Sequence, residues 1–479
     1  MTTRREFLKA LGAGLVVSAC PAPAWARLQS GARPDLLAGA TNPWSALPRM
    51  LARIAPPTFP ARDFDLTRFG AVGDNRTDNT AALRAAIAAC QRAGGGRVVV
   101  PAGQFITGAI ELKSRVNLHL DDRATLRFTR DASKYPVVVT RFEGMECMNY
   151  APFIRAFQQE NVAVTGGGTI DGNSSCEHWW PWKGRTNCGW KAGEPKQDAD
   201  RQALVDMVER GVPVKERVFG PGHYLRPQFI QPYRSNNVLI EGVRLVNSPM
   251  WQVHPVLCTN VIVKDLSIQA DGPNTDGCNP ESCTDVLIKN CYFDTGDDCI
   301  AIKSGRNADG RRLNAPSRNI VIQGCRMRNG HGGITVGSEI SGGVSGVFAE
   351  DCTLDSPLLD HAVRIKNNAV RGGLVQNIFV RNLDIGEVAQ AALTIDFYYE
   401  EADKGRFTPI ARNVVMEKVK TRKAQYALYL RGFANAPVGP VSLVDCNFDG
   451  VQKGSVLEHA DAVTVRNVRV NGTLVDRMR

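Results

Sequence analysis

The chain has 479 residues, 43% of them hydrophobic and 22% charged, a balance that excludes a disordered chain, a fibre and a small disulfide scaffold. Lys and Arg total 58 against 48 Asp and Glu, and the resulting net charge of +10 admits a polyanionic partner without naming one. The 45 glycines, in a chain long for one ordinary domain, make internal repetition the first pattern to test.

Residues 1–26 read as an export signal: Thr3-Arg4-Arg5-Glu6-Phe7-Leu8-Lys9, an apolar run from Ala10 to Ala19, then Ala24-Trp25-Ala26. The run is about half the ~20 residues of a membrane-spanning helix, so no membrane span is expected. The paired arginines resemble a twin-arginine signal, which implies a periplasmic or secreted protein. Val17-Ser18-Ala19-Cys20 also resembles a lipoprotein processing site, which would leave a lipid tether on Cys20. Removing residues 1–26 takes away Arg4, Arg5 and Lys9 against Glu6, so the remainder stays basic at +8. Residues 27–60 are rich in proline without a sustained period and read as a linker or surface arm, leaving 61–479 as the main domain.

Thr77-Asp78-Asn79-Thr80 before Ala81 to Cys90 predicts an N-capped amphipathic helix, stopped by Gly94-Gly95-Gly96 and followed by the strand Val98-Val99-Val100. From residue 161 a short apolar alternation returns at Asn161, Asn237, Asn260, Asp285, Asn319, Asn377 and Asn413, with degenerate copies at Gly346, Pro440 and Ala462. Starts from Asn237 onward are 22 to 36 residues apart, one coil of three short strands with loops of variable length. The fold class predicted is all-β, a right-handed single-stranded parallel β-helix whose N-terminal end is capped by the helix. Leucine-rich repeats share the period, but β-branched residues fill the slots here. The asparagines at the starts read as turn residues that satisfy their own backbone.

Thirteen cysteines do not form paired Cys-x-x-Cys zinc motifs. Cys291, Cys325, Cys352 and Cys446 each fall six residues after a repeat start, where Val243, Leu266, Leu383 and Val419 also fall, so they read as buried apolar groups. Cys278 with Cys283, and Cys176 with Cys188, are left open as local bridges.

Four polar clusters recur at roughly coil spacing: Asn274-Thr275-Asp276-Gly277, Gly296-Asp297-Asp298, Gly330-His331-Gly332 and Arg364-Ile365-Lys366. One coil per gap would stack them on one face, where three carboxylates, an imidazole and two cations converge. Glycosidic hydrolysis needs a carboxylic acid to protonate the leaving oxygen and a carboxylate to activate water, and crowded carboxylates retain a proton near neutrality. Arg364 and Lys366 alternate with Ile365, so on a strand both cations share a face that suits an anionic sugar.

In order and content these motifs, with Arg226-Pro227 and the stretch Asn247 to Pro255, resemble the polygalacturonase family, family 28 of the glycoside hydrolases. The resemblance spans residues 65–470. It implies inverting hydrolysis of α-1,4-galacturonosidic bonds in polygalacturonate, with Asp297 as general acid, Asp276 and Asp298 activating water and His331 tuning the acid. It further implies substrate binding by Arg364, Lys366, Asn274, His254, Lys303 and, from Phe397-Tyr398-Tyr399-Glu400, Tyr399. Gly277-Cys278-Asn279-Pro280 and Ile302-Lys303-Ser304 look more like bacterial exo-acting and rhamnogalacturonan-type members. Residues 173–225, with Trp179, Trp180, Trp182 and Trp190, interrupt the repeat; they could wall off one cleft end or pack into the core. Alternatives are a rhamnogalacturonan-type hydrolase and a Ca²⁺-dependent pectate lyase on the same fold. The expected partner is an acidic polysaccharide or oligogalacturonide, with no nucleic acid, no metal or other cofactor, and a monomeric chain.

Overall fold

The repeat seen in the sequence becomes a stack of coils in the computed structural model, which describes Leu37, residues 42–460 and residues 462–479. The export and lipidation readings on residues 1–26 fall outside the described residues. Asp35–Arg479 is one unit. Two long sheets of 13 and 14 strands run side by side. All their neighbours pair in parallel except the last two strands of the 14-stranded sheet, Val468–Val470 and Thr473–Val475. The third face starts as three strands and ends as six, bridged between by Ile230–Val253, Val253–Cys278 and Cys278–Ile300 contacts. This is a parallel β-helix, the fold class expected.

Each coil places a β-branched residue inward at the same level. Val162, Val238, Val261, Val286, Ile320, Val347, Ile378, Val414 and Val441 are Cα partners in succession along one interior file. None of the nine is more than slightly exposed. One coil alone would leave such a face wet, so the coils are stable only as a stack. Cys291, Cys325, Cys352 and Cys446 lie in this core with Val243, Leu266, Leu383 and Val419, as the spacing predicts. Neither candidate disulfide is formed: Cys176, Cys188, Cys278 and Cys283 are all free thiols. Cys283 Sγ instead donates to the Pro255 and Glu281 carbonyls.

The asparagines at the coil starts have φ near +55°, for example Asn161 at 53°, Asn237 at 54° and Asn260 at 55°. Asn is among the few side chains that accept this left-handed geometry. Their amides also ladder: Asn237 donates to Asn161 Oδ1 at 3.0 Å and Asn260 to Asn237 Oδ1 at 2.7 Å. They are turn-holders, not sugar ligands.

From Ala163 to Val415 the residue after each inward Val or Ile points outward and is also apolar. Residues 42–54 cover this stripe: Trp44, Leu47 and Met50 pack on Val321, Phe348 and Phe379, and Ile54 on Ala163, Leu239 and Ile262. Proline enters at the first turn of two short helices, Pro43–Ala46 and Leu47–Leu51. Burial of each large side chain is worth about 1.5–3 kcal/mol, so this stretch is a docked arm with a packing role. The predicted capping helix, Thr80–Arg92, buries Ala82, Leu83, Ala86, Ile87 and Cys90 against the first coils. No helix of the described residues is long and apolar enough to cross a membrane.

The interruption at 173–225 carries the helix Asp198–Glu209 and three short 3-10 turns. Of its tryptophans, Trp179 is fully buried between Tyr135, Phe153 and Trp182. Trp180 is nearly so and donates from Nε1 to the Ser248 carbonyl at 2.9 Å. These two pack the insertion onto the coils. Trp190 stays part-exposed, capped by Lys196 at 5.3 Å from its ring.

Candidate active site

The clusters meet on the third face, though not all in register. Gly277 N–H bonds to the Asp298 carbonyl, so Asp276 lies within one residue of level with the Asp297–Asp298 pair. His331 N–H bonds to the Asp297 carbonyl one coil on. Arg364 departs from the expected stacking: its Cα partner is Thr335, four residues beyond His331. The long side chain recovers the offset and donates from Nη1 to the His331 carbonyl at 3.2 Å. Ile365 is buried in the core, which leaves Arg364 and Lys366 on the outer face as strand alternation requires.

The glycines in the motifs allow this approach. A Cβ on Gly330 would fall 2.3 Å from the Asp297 carbonyl oxygen, and one on Gly332 would fall 2.9 Å from Asp298 Oδ1. Neither contact is tolerable, so Gly-His-Gly is the condition for seating an imidazole against two aspartates.

One carboxylate oxygen from each of Asp276, Asp297 and Asp298 lies within 4.8 Å of the others. Asp297 holds the outer position, its side chain 16% exposed against 3% for Asp276 and 1% for Asp298. His331 Nδ1 is 3.1 Å from Asp297 Oδ1, and Asn274 donates to Asp297 Oδ2 at 3.2 Å. Lys366 Nζ donates to Asp298 Oδ2 at 2.5 Å and Thr335 to Asp298 Oδ1 at 3.1 Å. Asn279 donates to Asp276 Oδ2 at 2.9 Å, while Asp276 Oδ1 is buried without a protein partner. Tyr399 closes the cation side, its ring 5.6 Å from the Arg364 guanidinium and 5.3 Å from the Lys366 ammonium. Tyr398 turns away to Phe433 and Arg431.

Three carboxylates this close cannot all ionise. Burial, then the Asp297 charge, raises Asp276 well above the ordinary carboxylate range. Burial also pushes Asp297 upward, but the His331 hydrogen bond and charge, with Lys366 and Lys303, hold it well below that range. The hydrogen bond to Asp297 raises His331 to about 9. Asp276 is thus the member of the trio pushed toward its protonated form and His331 toward the imidazolium, whereas Asp297, the expected acid, is pushed toward its ionised form. The physical reason is position: Asp276 is the deeper carboxylate and has no cation in hydrogen-bond contact.

Two assigned substrate contacts are corrected. His254 is fully buried, with Nε2 on Glu281 at 2.8 Å and Nδ1 on Gln231 at 3.1 Å, so it braces the wall behind the cleft. Lys303 is likewise enclosed, donating to Glu339 Oε2 at 2.8 Å and to the Gly337 carbonyl at 3.2 Å. Neither can reach a sugar. Asn274 touches Asp297 directly and is held by Arg226, whose Nη2 donates to Asn274 Oδ1 at 2.7 Å. Arg226 also bonds the Pro249 and Pro273 carbonyls and Gln197 of the insertion, which fixes the insertion beside the site. Glu339, Asn279 and Thr335 were missed. Only Asn279, three residues after Asp276, left a trace in the sequence; the others reach the site through coil register. The three aspartates are near enough to share a small cation, but Lys366 and Lys303 already supply positive charge there, and no metal is assigned.

The profile of glycosyl hydrolases family 28 matches residues 222–472. A second profile, rhamnogalacturonase A/epimerase, pectate lyase-like, matches residues 64–187. Among solved structures, the exopolygalacturonase of Thermotoga maritima is 44% identical and superposes with a TM-score of 0.87 over 90% of this chain and 96% of its own. A family 28 exopolygalacturonase of Yersinia enterocolitica, 22% identical with a TM-score of 0.67 over 85% of this chain and 76% of its own, shares the fold. A protein of Vitis vinifera described as a probable polygalacturonase is 30% identical over 79% of this chain and 72% of its own. With its coils, its carboxylate trio and these relatives together, the chain belongs to the glycosyl hydrolases of family 28.

Proposed function

We propose that this hydrolase cuts α-1,4-galacturonosidic bonds of polygalacturonate, working from a chain end. The observation that carries the reading is the pairing of one cleft-facing carboxylate, Asp297, with Arg364, Lys366 and Tyr399 alongside: a proton donor beside cations that fit a sugar carboxylate. Asp297 alone of the trio reaches the cleft, so a proton for the leaving oxygen passes through it. Its hydrogen-bonded partner His331, raised to about 9 by that bond, can hand a proton to it. Asp298, fixed by Lys366 and Thr335, and Asp276 act together on water.

Inverting enzymes usually separate their carboxylates by about 6.5–9.5 Å, wider than this trio. A double displacement, however, requires a carboxylate to touch the anomeric carbon, and the two inner aspartates are too deeply buried for that. Single displacement by a water held over them fits the burial. Exo action is supported by the insertion, anchored through Gln197, Arg226 and Trp180 beside Asn274, and by the exopolygalacturonases among the relatives. Work outside the cytoplasm is supported by the Arg4-Arg5 signal and by a polymeric substrate.

The test is one incubation of the purified protein with polygalacturonate in EDTA, following reducing ends, ultraviolet absorbance and product size. Reducing ends without absorbance, with monomer as the early product, are expected. Absorbance appearing only with Ca²⁺ would mean a lyase, and turnover confined to rhamnogalacturonan would reassign the substrate.

A further inference from the structure

We propose that Lys303 is a positioning residue: from behind the cleft floor it holds the Asp276 carboxylate and supplies the positive charge beside it, with Glu339 as its anchor. This rests on the hydrolase reading above and concerns a group that never meets substrate.

Lys303 directly follows the strand Ile300–Ile302 and its side chain enters the wall of the coil, where its ammonium is 3.8 Å from Asp276 Oδ2 and 4.4 Å from the centre of the Trp251 ring. Its hydrogen bonds go to Glu339 and Gly337, so its orientation is fixed. Asp276 Oδ2 is thereby gripped from two sides, by Asn279 and by this charge, which leaves Oδ1 for the water. Burial works against the charge on Lys303, but Glu339, Asp276 and Asp298 overcome it and keep the lysine protonated.

A bare buried ion pair is a weak contributor to stability and can often be replaced by apolar groups of the same size. What this lysine supplies is placed charge. Glu339 is itself set by Ser338 Oγ at 3.1 Å and lies 3.9 Å from Arg306 Nη1. Arg306 pairs with Glu143 at 3.0 Å, and Glu143 with Arg201 of the insertion helix at 2.5 Å. An alternating row of charges thus runs from the insertion to Asp276. The other titratable and charged groups facing this pair are Asp297, Asp298 and Lys366 on the cleft side, Arg371 beside Glu339, and His254 with Glu281 and Arg141 behind it; His331 and Asp360 stand beyond Asp297, and Arg364 beside Asp298.

The experiment is the pH dependence of kcat/KM on polygalacturonate for the wild type, Lys303→Met, Lys303→Arg and Glu339→Gln. An opposite charge this near shifts a carboxylate by about one to three pH units, so Lys303→Met moves the acid limb up by that order. It lowers kcat and leaves KM little changed, because no substrate contact is lost. Glu339→Gln leaves the Lys303 charge less neutralised and moves the limb down. Lys303→Arg keeps the limb near that of the wild type. An unmoved acid limb in both Lys303→Met and Glu339→Gln would overturn the proposal and leave Lys303 a structural ion. If Lys303→Met does not fold, the downward shift in Glu339→Gln decides alone. If the wild type fails to hydrolyse polygalacturonate, it is the hydrolase reading that falls. The proposal is then read from the carboxyl-stretch titration of Asp276, by infrared difference against Asp276→Asn, and stands or falls on the same two shifts.

Discussion

Replacing Asp297 by asparagine removes the cleft-facing proton donor and keeps its shape. Loss of a general acid slows turnover by about 10²–10⁴-fold, a barrier increase of roughly 3–5 kcal/mol. The fold has no reason to fail. At the 4.8 Å that bounds the trio, two carboxylates repel by about 3.5 kcal/mol in an effective dielectric of about 20, so removing one charge relaxes the site. The charge of Asp297 is, after burial, the main reason Asp276 retains a proton, and Asp276 should lose it more readily in the variant. KM should stay close to that of the wild type, since Arg364, Lys366 and Tyr399 are untouched. The assay is steady-state hydrolysis of oligogalacturonides beside an aryl galacturonide whose leaving group needs no protonation, with thermal unfolding as control. Asp297→Asn should be crippled on the oligomer and far less impaired on the aryl glycoside. Equal loss on the two substrates, or retained oligomer turnover, would refute the acid role.

Arg364→Ala should raise KM for polygalacturonate by roughly ten- to a hundredfold, the worth of a charged hydrogen bond, and affect a fully methyl-esterified substrate less; equal losses on both would make Arg364 structural. Because the folded pKa of His331 is raised from 6.5 to about 9, its partnership with Asp297 stabilises fully below about pH 6.5. That contribution fades as pH rises through about 9, as does turnover. Thermal midpoints and rates measured from pH 6 to 10 should fall together, and His331→Ala should flatten the stability trend. Asn260 holds φ at 55°, donates to Asn237 Oδ1 and the Ala55 carbonyl, and accepts from Ala55 N–H. Asn260→Ala should therefore lower stability by about 1–3 kcal/mol in denaturant titrations, with Asn260→Gly milder and kcat unchanged in both.

The sequence by itself determined the coil. Apolar alternation at Asn237, Asn260 and Asp285 with a 22- to 36-residue return has one way to bury its Val and Ile face, by stacking. Asparagine at most starts marked the turns, and lone cysteines at a fixed slot marked the core. Gly-His-Gly and Arg-Ile-Lys were legible because they lie on strands whose alternation fixes their face, and the aspartates because their Asn-Thr-Asp and Gly-Asp-Asp motifs recur at coil spacing just outside the strands. Tertiary structure alone decided which polar groups face the cleft and which brace it from behind. Lys303 and His254 sit beside the motifs in sequence, yet their orientation depends on Glu339 and Glu281, 36 and 27 residues further along the chain. Proton placement among Asp276, Asp297 and His331 was equally invisible, because it depends on depth and on distances between coils. A coil repeat that varies from 22 to 36 residues fixes no such distance; the hydrogen-bonded register of adjacent strands does.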